Sequence, residues 1–317
     1  METGIGTEIR GDSRRRWQLL SFGDPCADIV IAAGEPPALG EKVLGRALGT
    51  LAGGTTANVA CGVARLGMRC AVFGRTGADA NGDVLRDSFA RFGVDMTYLR
   101  REQGAASASA IVIVTPSGEK SVIYQPMETA PLDRPALAEA LAESRVAYAM
   151  PYDLEEYAAL SATARERGAL VAIDLEAAVA PGPDAMRARA ALADIVFFNE
   201  SGFEAGNAGA VSFDAMRTVL ALGPRVVVVS LGAAGAMAVS AGEEASRPAF
   251  AARVVDTAGA GDSFNAAFLS AWLDGAALDA CLRFACAAAS CTVAAMGART
   301  ALPDRARVAS VLSEGAA

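Results

Sequence analysis

Between residues 256 and 264 the chain reads Asp256-Thr257-Ala258-Gly259-Ala260-Gly261-Asp262-Ser263-Phe264, a glycine-rich turn closed by a carboxylate. The apolar run Phe250 to Val255 before it has the look of a strand. Phe264, Ala267, Phe268, Ala271 and Trp272 after it recur at helical spacing through Ser263–Leu273. A helix N-terminus offers unpaired N–H groups and the positive end of a dipole, so Gly259, Ala260 and Gly261 can cradle an anion. Asp262 is then out of place electrostatically. A carboxylate beside an anion site either caps the helix or takes a proton from the group that attacks the anion.

The rest of the composition narrows the chemistry. Histidine is absent, which removes Ser-His-Asp and Cys-His catalysis, histidine-ligated metals and a histidine base together. Lysine occurs only as Lys42 and Lys120. Proton transfer falls to carboxylates, and phosphate charge must be met by arginine, backbone amides or a metal ion. Six cysteines show neither C-x-x-C nor zinc spacing and read as small core hydrophobes. A net charge of −8 argues against nucleic acid or an anionic membrane as partner. The apolar stretch Ala276–Met296 is interrupted by Asp279 and Arg283 and reads as a buried helix, not a membrane span. Trp17–Phe22 is too short for a signal-peptide core, so a cytoplasmic location is expected.

The elements that must position the turn can be placed in order. Residues 1–16 read as a flexible tail, and 317 residues suffice for one large domain with a small appendage or for two modest domains. Trp17–Gly23 is the first strand. Ile29–Ala33 and Lys42–Leu51 are crowded by glycine and proline and suit a small outlying sheet. The helix opened by Gly53 and Gly54, strand Cys70–Phe73 and helix Val84–Phe92 follow. The alternating runs Ala108–Val114 and Ser121–Tyr124 then form a hairpin pattern. Segments 28–51 and 108–125 are thus expected to make a lid on one edge of residues 17–317, without forming a separate domain. From residue 134 helices alternate with strands Val146–Met150, Leu170–Asp174, Ile195–Phe198 and Val226–Ser230, which predicts right-handed βαβ units and a parallel sheet covered on both faces. Ligands of such sheets lie beyond the carboxyl ends of the strands, where Asp28, Asp153, Asp174, Asn199, Ser230 and Asp262 recur.

Asp256-Thr257-Ala258-Gly259-Ala260-Gly261-Asp262-Ser263-Phe264-Asn265 resembles the C-terminal signature of the ribokinase-like (PfkB) carbohydrate kinases. Gly53-Gly54-Thr55-Thr56-Ala57-Asn58-Val59-Ala60, continuing to Arg65-Leu66-Gly67, looks like their N-terminal signature. The resemblance spans about Trp17 to Leu312. It implies an α/β fold, a three-layer α/β/α sandwich with a mostly parallel central sheet and a small β-sheet lid. It implies Asp262 as catalytic base with Gly259, Ala260 and Gly261 as anion hole, and Asp28, Gly53, Gly54, Asn58 and Asp153 at the acceptor. Asn199, Ser230, Gly232 and Gly235, with Gly259 and Gly261, would meet the phosphates of ATP, and the helix Ala277–Ala295 with Gly297–Pro303 would border the adenine. Asp256 and Gly297 correspond to the monovalent-cation loop of members that need potassium. Two departures stand out. Glycine occupies position 202, where the family's Asn-x-x-Glu element, linked to Mg²⁺, has its Glu; Glu200 or Glu204 would substitute, or ATP itself would hold the metal. Thr55 stands where ribokinases proper carry lysine, so ribose is not the default acceptor.

The resemblance therefore implies an ATP- and Mg²⁺-dependent kinase acting on a primary hydroxyl of a small sugar, sugar acid or nucleoside, and pairing of family lids makes a dimer through the lid the expectation. A dinucleotide-dependent oxidoreductase would need a glycine fingerprint after the first strand, and Gly23-Asp24-Pro25 supplies none. A non-catalytic sugar-binding regulator of kinase descent would be expected to have lost the base or the anion hole, and both are present.

Overall fold

Val226–Val229 are each at most 2% exposed. At strand period their side chains point alternately to two faces, so that strand has to be covered on both. The computed structural model describes residues 14–314 apart from 129 and 208, and its architecture follows from this demand. From the N-terminal side, β1 (Trp17–Phe22) enters the main sheet and the chain leaves it for β2 (Cys26–Ala33) and β3 (Gly45–Gly53). It returns through α1 (Thr55–Arg65), β4 (Cys70–Gly77), α2 (Ala80–Phe92) and β5 (Asp95–Glu102), then leaves again for the hairpin β6 (Ser109–Val114) and β7 (Lys120–Gln125). Regular alternation follows: α3 (Arg134–Ala142), β8 (Ser144–Ala149), α4 (Leu154–Arg167), β9 (Leu170–Asp174), α5 (Pro183–Ala190) and β10 (Ile195–Asn199). After α6 (Glu200–Asn207) and α7 (Phe213–Leu220) come β11 (Val226–Ser230), β12 (Ala236–Ser240) and β13 (Glu244–Arg247). The last described elements are α8 (Ala260–Leu273), α9 (Leu278–Thr292) and α10 (Arg305–Glu314).

The main sheet has nine strands in the order β13-β12-β11-β10-β9-β8-β1-β4-β5. It is parallel from β11 to β5; β12 alone runs the other way, so the β11–β12 and β12–β13 pairings are the antiparallel ones. Val226 and Val228 face one layer of the core with Phe197, Phe264 and Phe268, while Val227 and Val229 face the other with Phe198, Met216 and Val219. The three-layer expectation is met. The sequence reading did not find β5, whose outward Arg100 and Arg101 make it a charged edge that alternation barely marks. The β12–β13 hairpin is likewise unexpected from the sequence.

Phe250–Val255 is not a strand. Its residues are irregular; the Val255 and Asp256 amides bond to the Val293 carbonyl instead of to a ladder, and Val254 and Val255 are 63% and 51% exposed. An apolar run makes a strand only where a neighbour offers its backbone, and the β12–β13 hairpin already closes that end of the sheet.

The second sheet has the order β3-β2-β6-β7. Asp28, Ala110 and Tyr124 are register partners across it, and so are Ile29, Ile111 and Ile123 on the other face. At the start of the described chain Arg15 donates to the carbonyls of Leu141 (2.9 Å) and Ser144 (2.5 Å), so the expected tail is anchored from this point on; residues 1–13 lie outside the described ones.

Candidate active site

Helix α8 begins at the glycine-rich turn 256–262. Gly259 is its N-cap at φ 74°, and a Cβ there would lie 2.5 Å from Cβ of Ala298, so glycine is required by conformation and by space. The first intrahelical bond runs from the Ser263 amide to the Gly259 carbonyl, which leaves the Gly261 and Asp262 amides ahead of the helical ladder. Asp262 sits in the first turn but caps nothing. Its Oδ2 accepts a 2.7 Å bond from Asn58 Nδ2 on α1. Burial pushes the Asp262 carboxyl up to about 7; the Asn58 donor and the Arg299 charge pull it down, while Glu176 and Asp28 push it up. A carboxylate tuned to neutrality, with one donor fixed on it, has the properties of a general base.

Two cavities meet at this turn and share Thr55 and Gly259. The first, about 480 Å³, lies under the lid and is lined by Asp28, Gly54, Thr56, Asn58, Tyr124 and Asp153 among others. Asp28 reaches it from β2 because Gly53 is glycine: a Cβ there would come within 2.2 Å of Asp28 Oδ2. Burial raises the Asp28 carboxyl, opposed by Arg299, a hydrogen bond from Cys26, and Lys120. The Cys26 thiol is pushed up to about 12 by burial and by Asp28, so it is no nucleophile. Asp153 borders the cavity, yet its Oδ1 accepts from the Glu155 (2.8 Å) and Glu156 (2.9 Å) amides and caps α4.

The second cavity, about 560 Å³, is lined by Asp174, Glu176, Asn199, Glu200, Ser230, Gly232, Gly261 and Asp262 among others. Gly235 does not line it; at φ 106° it makes the turn into β12. Asn199 Oδ1 accepts from the Gly202 amide (2.7 Å) and the Ser201 hydroxyl (3.1 Å), which leaves its amide nitrogen for a ligand. Gly202 has a physical reason: a Cβ there would lie 2.2 Å from the Leu175 carbonyl oxygen and 3.0 Å from Glu176 Cα. The backbone after β9 fills the space from which a glutamate would rise. Glu200 lines the cavity, whereas Glu204 is exposed on α6 and does not.

Glu176 was missed by the sequence reading, which stopped at Asp174, two residues earlier on the same strand end. It is half-buried, its carboxyl is raised by burial, and no hydrogen bond or ion pair engages its side chain among the described residues. Deeper, the buried Asp174 accepts from Asn265 Nδ2 (2.8 Å) and the Tyr148 hydroxyl (3.4 Å). Burial, with Glu176 and Asp262 adding to it, holds Asp174 well above the ordinary carboxylate range.

Asp256 and Gly297, expected at a monovalent-cation loop, are hydrogen-bonded to each other, and Lys120 joins them. Asp256 Oδ2 accepts from the Gly297 amide (2.8 Å), and Oδ1 accepts from the Ala258 amide (2.9 Å) and from Lys120 Nζ (2.6 Å) on β7. Against the cost of burial, these bonds hold the Asp256 carboxyl below its ordinary value. Lys120 being one of two lysines was the one available signal.

The profile described as pfkB family carbohydrate kinase matches residues 18–305. The ribokinase of Haemophilus influenzae is 28% identical over 302 residues, 92% of this chain and 96% of the relative. The aminoimidazole riboside kinase of Salmonella typhimurium is 32% identical over 79% of this chain and 84% of its own. Among solved structures, Arabidopsis thaliana ribokinase complexed with ribose and ATP superposes with a TM-score of 0.82 at 27% identity, covering 93% of this chain and 98% of that one.

Proposed function

The chain belongs to the pfkB family of carbohydrate kinases, and we propose that it transfers the γ-phosphoryl group of ATP to a primary hydroxyl of a small sugar or sugar acid. The observation that carries this reading is the meeting of two cavities at one helix N-terminus, with Asp262 in the wall of the second and its hydrogen-bond donor Asn58 in the wall of the first. The acceptor lies under the lid, where Asp28 takes hydrogen bonds from its hydroxyls, as an ionised carboxylate can from a diol. The nucleotide phosphates lie in the second cavity near Asn199, Ser230 and Gly232. Asp262 removes the proton of the attacking hydroxyl, and the Gly259–Gly261 turn stabilises charge on the phosphoryl in flight.

Mg²⁺ fits this cavity on the chemistry of its donors. The ion is commonly held by one or two carboxylates together with substrate phosphates, and Glu176, unengaged and half-buried, faces the same space as Glu200. When bound, the metal supplies charge neutralisation at the phosphates; Glu176 and Glu200 are the residues that would hold it. Potassium has less room to act, because the Lys120 ammonium already stands on Asp256. A cytoplasmic setting agrees with six buried free cysteines, and no helix among the described residues is long and apolar enough to cross a membrane. The outer lid face carries Ile111 and Ile123, 39% and 63% exposed, which supports a homodimer through the lid.

A nucleoside acceptor is the second reading. A further cavity of about 330 Å³, lined by Phe73 and Tyr98, shares Phe22, Gly23, Asp24 and Glu156 with the acceptor cavity, and aromatic walls suit a planar base. Purified protein with Mg·ATP and a panel of hexoses, pentoses, sugar acids and nucleosides, followed by ADP release, tests both. We expect turnover with a sugar or sugar acid. Turnover confined to nucleosides would select the second reading, and no acceptor-dependent release would send the chain to the regulatory class.

A further inference from the structure

Among the charged side chains around Asp262, Arg299 is the most completely engaged. It is 8% exposed, and its guanidinium donates to Asn58 Oδ1 (Nε, 2.7 Å), Ser88 Oγ (Nη1, 2.8 Å) and the Gly53 carbonyl (Nη2, 2.7 Å). It lies 5.5 Å from the centroid of the Phe89 ring. Its three partners sit on α1, on α2 and at the end of β3, where the lid joins the core.

We propose that Arg299 is a positioning residue for phosphoryl transfer: through Asn58 it fixes which end of an amide faces Asp262, and through Gly53 it ties the lid junction to the same point. The inference rests on Asp262 being the base. A carboxamide can present either its oxygen or its nitrogen. A guanidinium has five donors and no acceptor, so only the amide oxygen can face Arg299, and Nδ2 must then face Asp262, as it does at 2.7 Å. A donor in that position is compatible with an ionised carboxylate, the form able to accept the substrate's proton. The flipped amide would offer an oxygen instead, and only a protonated Asp262 could bond to it. Arg299 therefore selects the working form of the base without touching the acceptor. Lysine cannot replace it, since one ammonium does not reach three diverging acceptors in fixed planar geometry.

The charges around Asp262 sharpen the argument. Glu176 after β9 and Asp28 on β2 both disfavour a second negative charge there, with Asp174 beneath, and Arg299 is the cation acting on it. Arg299 is itself depressed by burial and by Arg91 and supported by Cys61, Asp262 and Asp28. An arginine stays protonated throughout the working range, so the contribution is constant and not a switch.

Steady-state kinetics against pH, with melting curves, test this on Arg299→Met, Arg299→Lys, Asn58→Ala, the Arg299→Met/Asn58→Ala double variant and Ser88→Ala. Arg299→Met is expected to lower kcat by about 10–100-fold, more than it raises the acceptor KM, and to move the rising limb of the kcat–pH profile up by roughly one unit. Asn58→Ala should act in the same direction, and the double variant should lose clearly less than the product of the two single losses, because Arg299 acts in large part through Asn58. Ser88→Ala should lower the melting temperature without moving the limb. Arg299→Lys, which keeps charge and volume, carries the test if Arg299→Met does not fold, and it too should keep the lowered kcat. Additive losses in the double variant, or an unmoved limb with a melting loss like that of Ser88→Ala, would overturn the proposal and leave Arg299 a packing residue. A rising limb and kcat that survive Asp262→Asn would instead overturn the base assignment beneath it.

Discussion

A carboxylate that must accept a proton near neutrality has to be made reluctant to ionise, and Asp262 is made so chiefly by burial, with Glu176 and Asp28 adding to it. Two consequences follow at this residue. If Asp262 is the base, as proposed, it works ionised, and kcat should rise with pH through about 7 and level off above it. The same shift bears on stability with a definite sign. The folded-state value lies above that of an unfolded aspartate, so the contribution to stability is full at low pH and is lost as pH rises through about 7. Asp262→Asn keeps the Asn58 contact and removes the charge. It should match the wild type near pH 4 and exceed it at pH 8 by roughly 1–3 kcal/mol, after allowance for partial solvent access, in urea unfolding. A variant less stable than wild type at pH 8 would contradict the burial argument. Asp262, Asn58 and Asp28 were legible in the sequence because each lies in a compact motif. Arg299 was not, because its partners lie 241, 211 and 246 residues away along the chain, and no local pattern records such a meeting.

At the scale of elements, what was legible had a period. Val226–Val229 and the alternating segments after residue 134 announced their strands, and the glycine turn announced the start of α8. What was not legible depended on neighbours: the apolar Phe250–Val255 pairs with no strand, and the charged β5 does. The junction of lid and turn belongs to this second kind. Lys120 on β7 grips Asp256, whose other bonds hold the Ala258 and Gly297 amides, so one ammonium links the lid to the glycine turn that opens α8. Lys120→Met should speed amide hydrogen exchange over residues 256–262 and make turnover respond to added K⁺, whereas the wild type should be nearly indifferent to K⁺. Wild-type activity that requires K⁺ would show that Lys120 does not take the cation's place.

At the scale of the molecule, the lid has two faces with different tasks. Asp28, Ala110 and Tyr124 line the acceptor cavity, and Ile111 and Ile123 look away from it. The inner face can exclude water from the transfer step. The outer one leaves apolar surface and strand edges that a second copy would cover. Ile123→Asp should therefore convert a dimer to a monomer in sedimentation equilibrium, with the chemistry at Asp262 intact. A wild type that sediments as a monomer would remove the dimer from the description and leave the site unaffected. On the proposed reading, cavity position and turn geometry serve one proton transfer, from the acceptor hydroxyl to Asp262.

That transfer is tested most directly by single-turnover kinetics of Asp262→Asn with Mg·ATP and the acceptor identified by the panel, alongside equilibrium binding of both ligands. The substitution preserves size and the Asn58 contact. The rate of phosphoryl transfer should fall by about 10²–10⁴-fold while both affinities stay within a few-fold of wild type. A transfer rate close to wild type would contradict the assignment of Asp262 as the base.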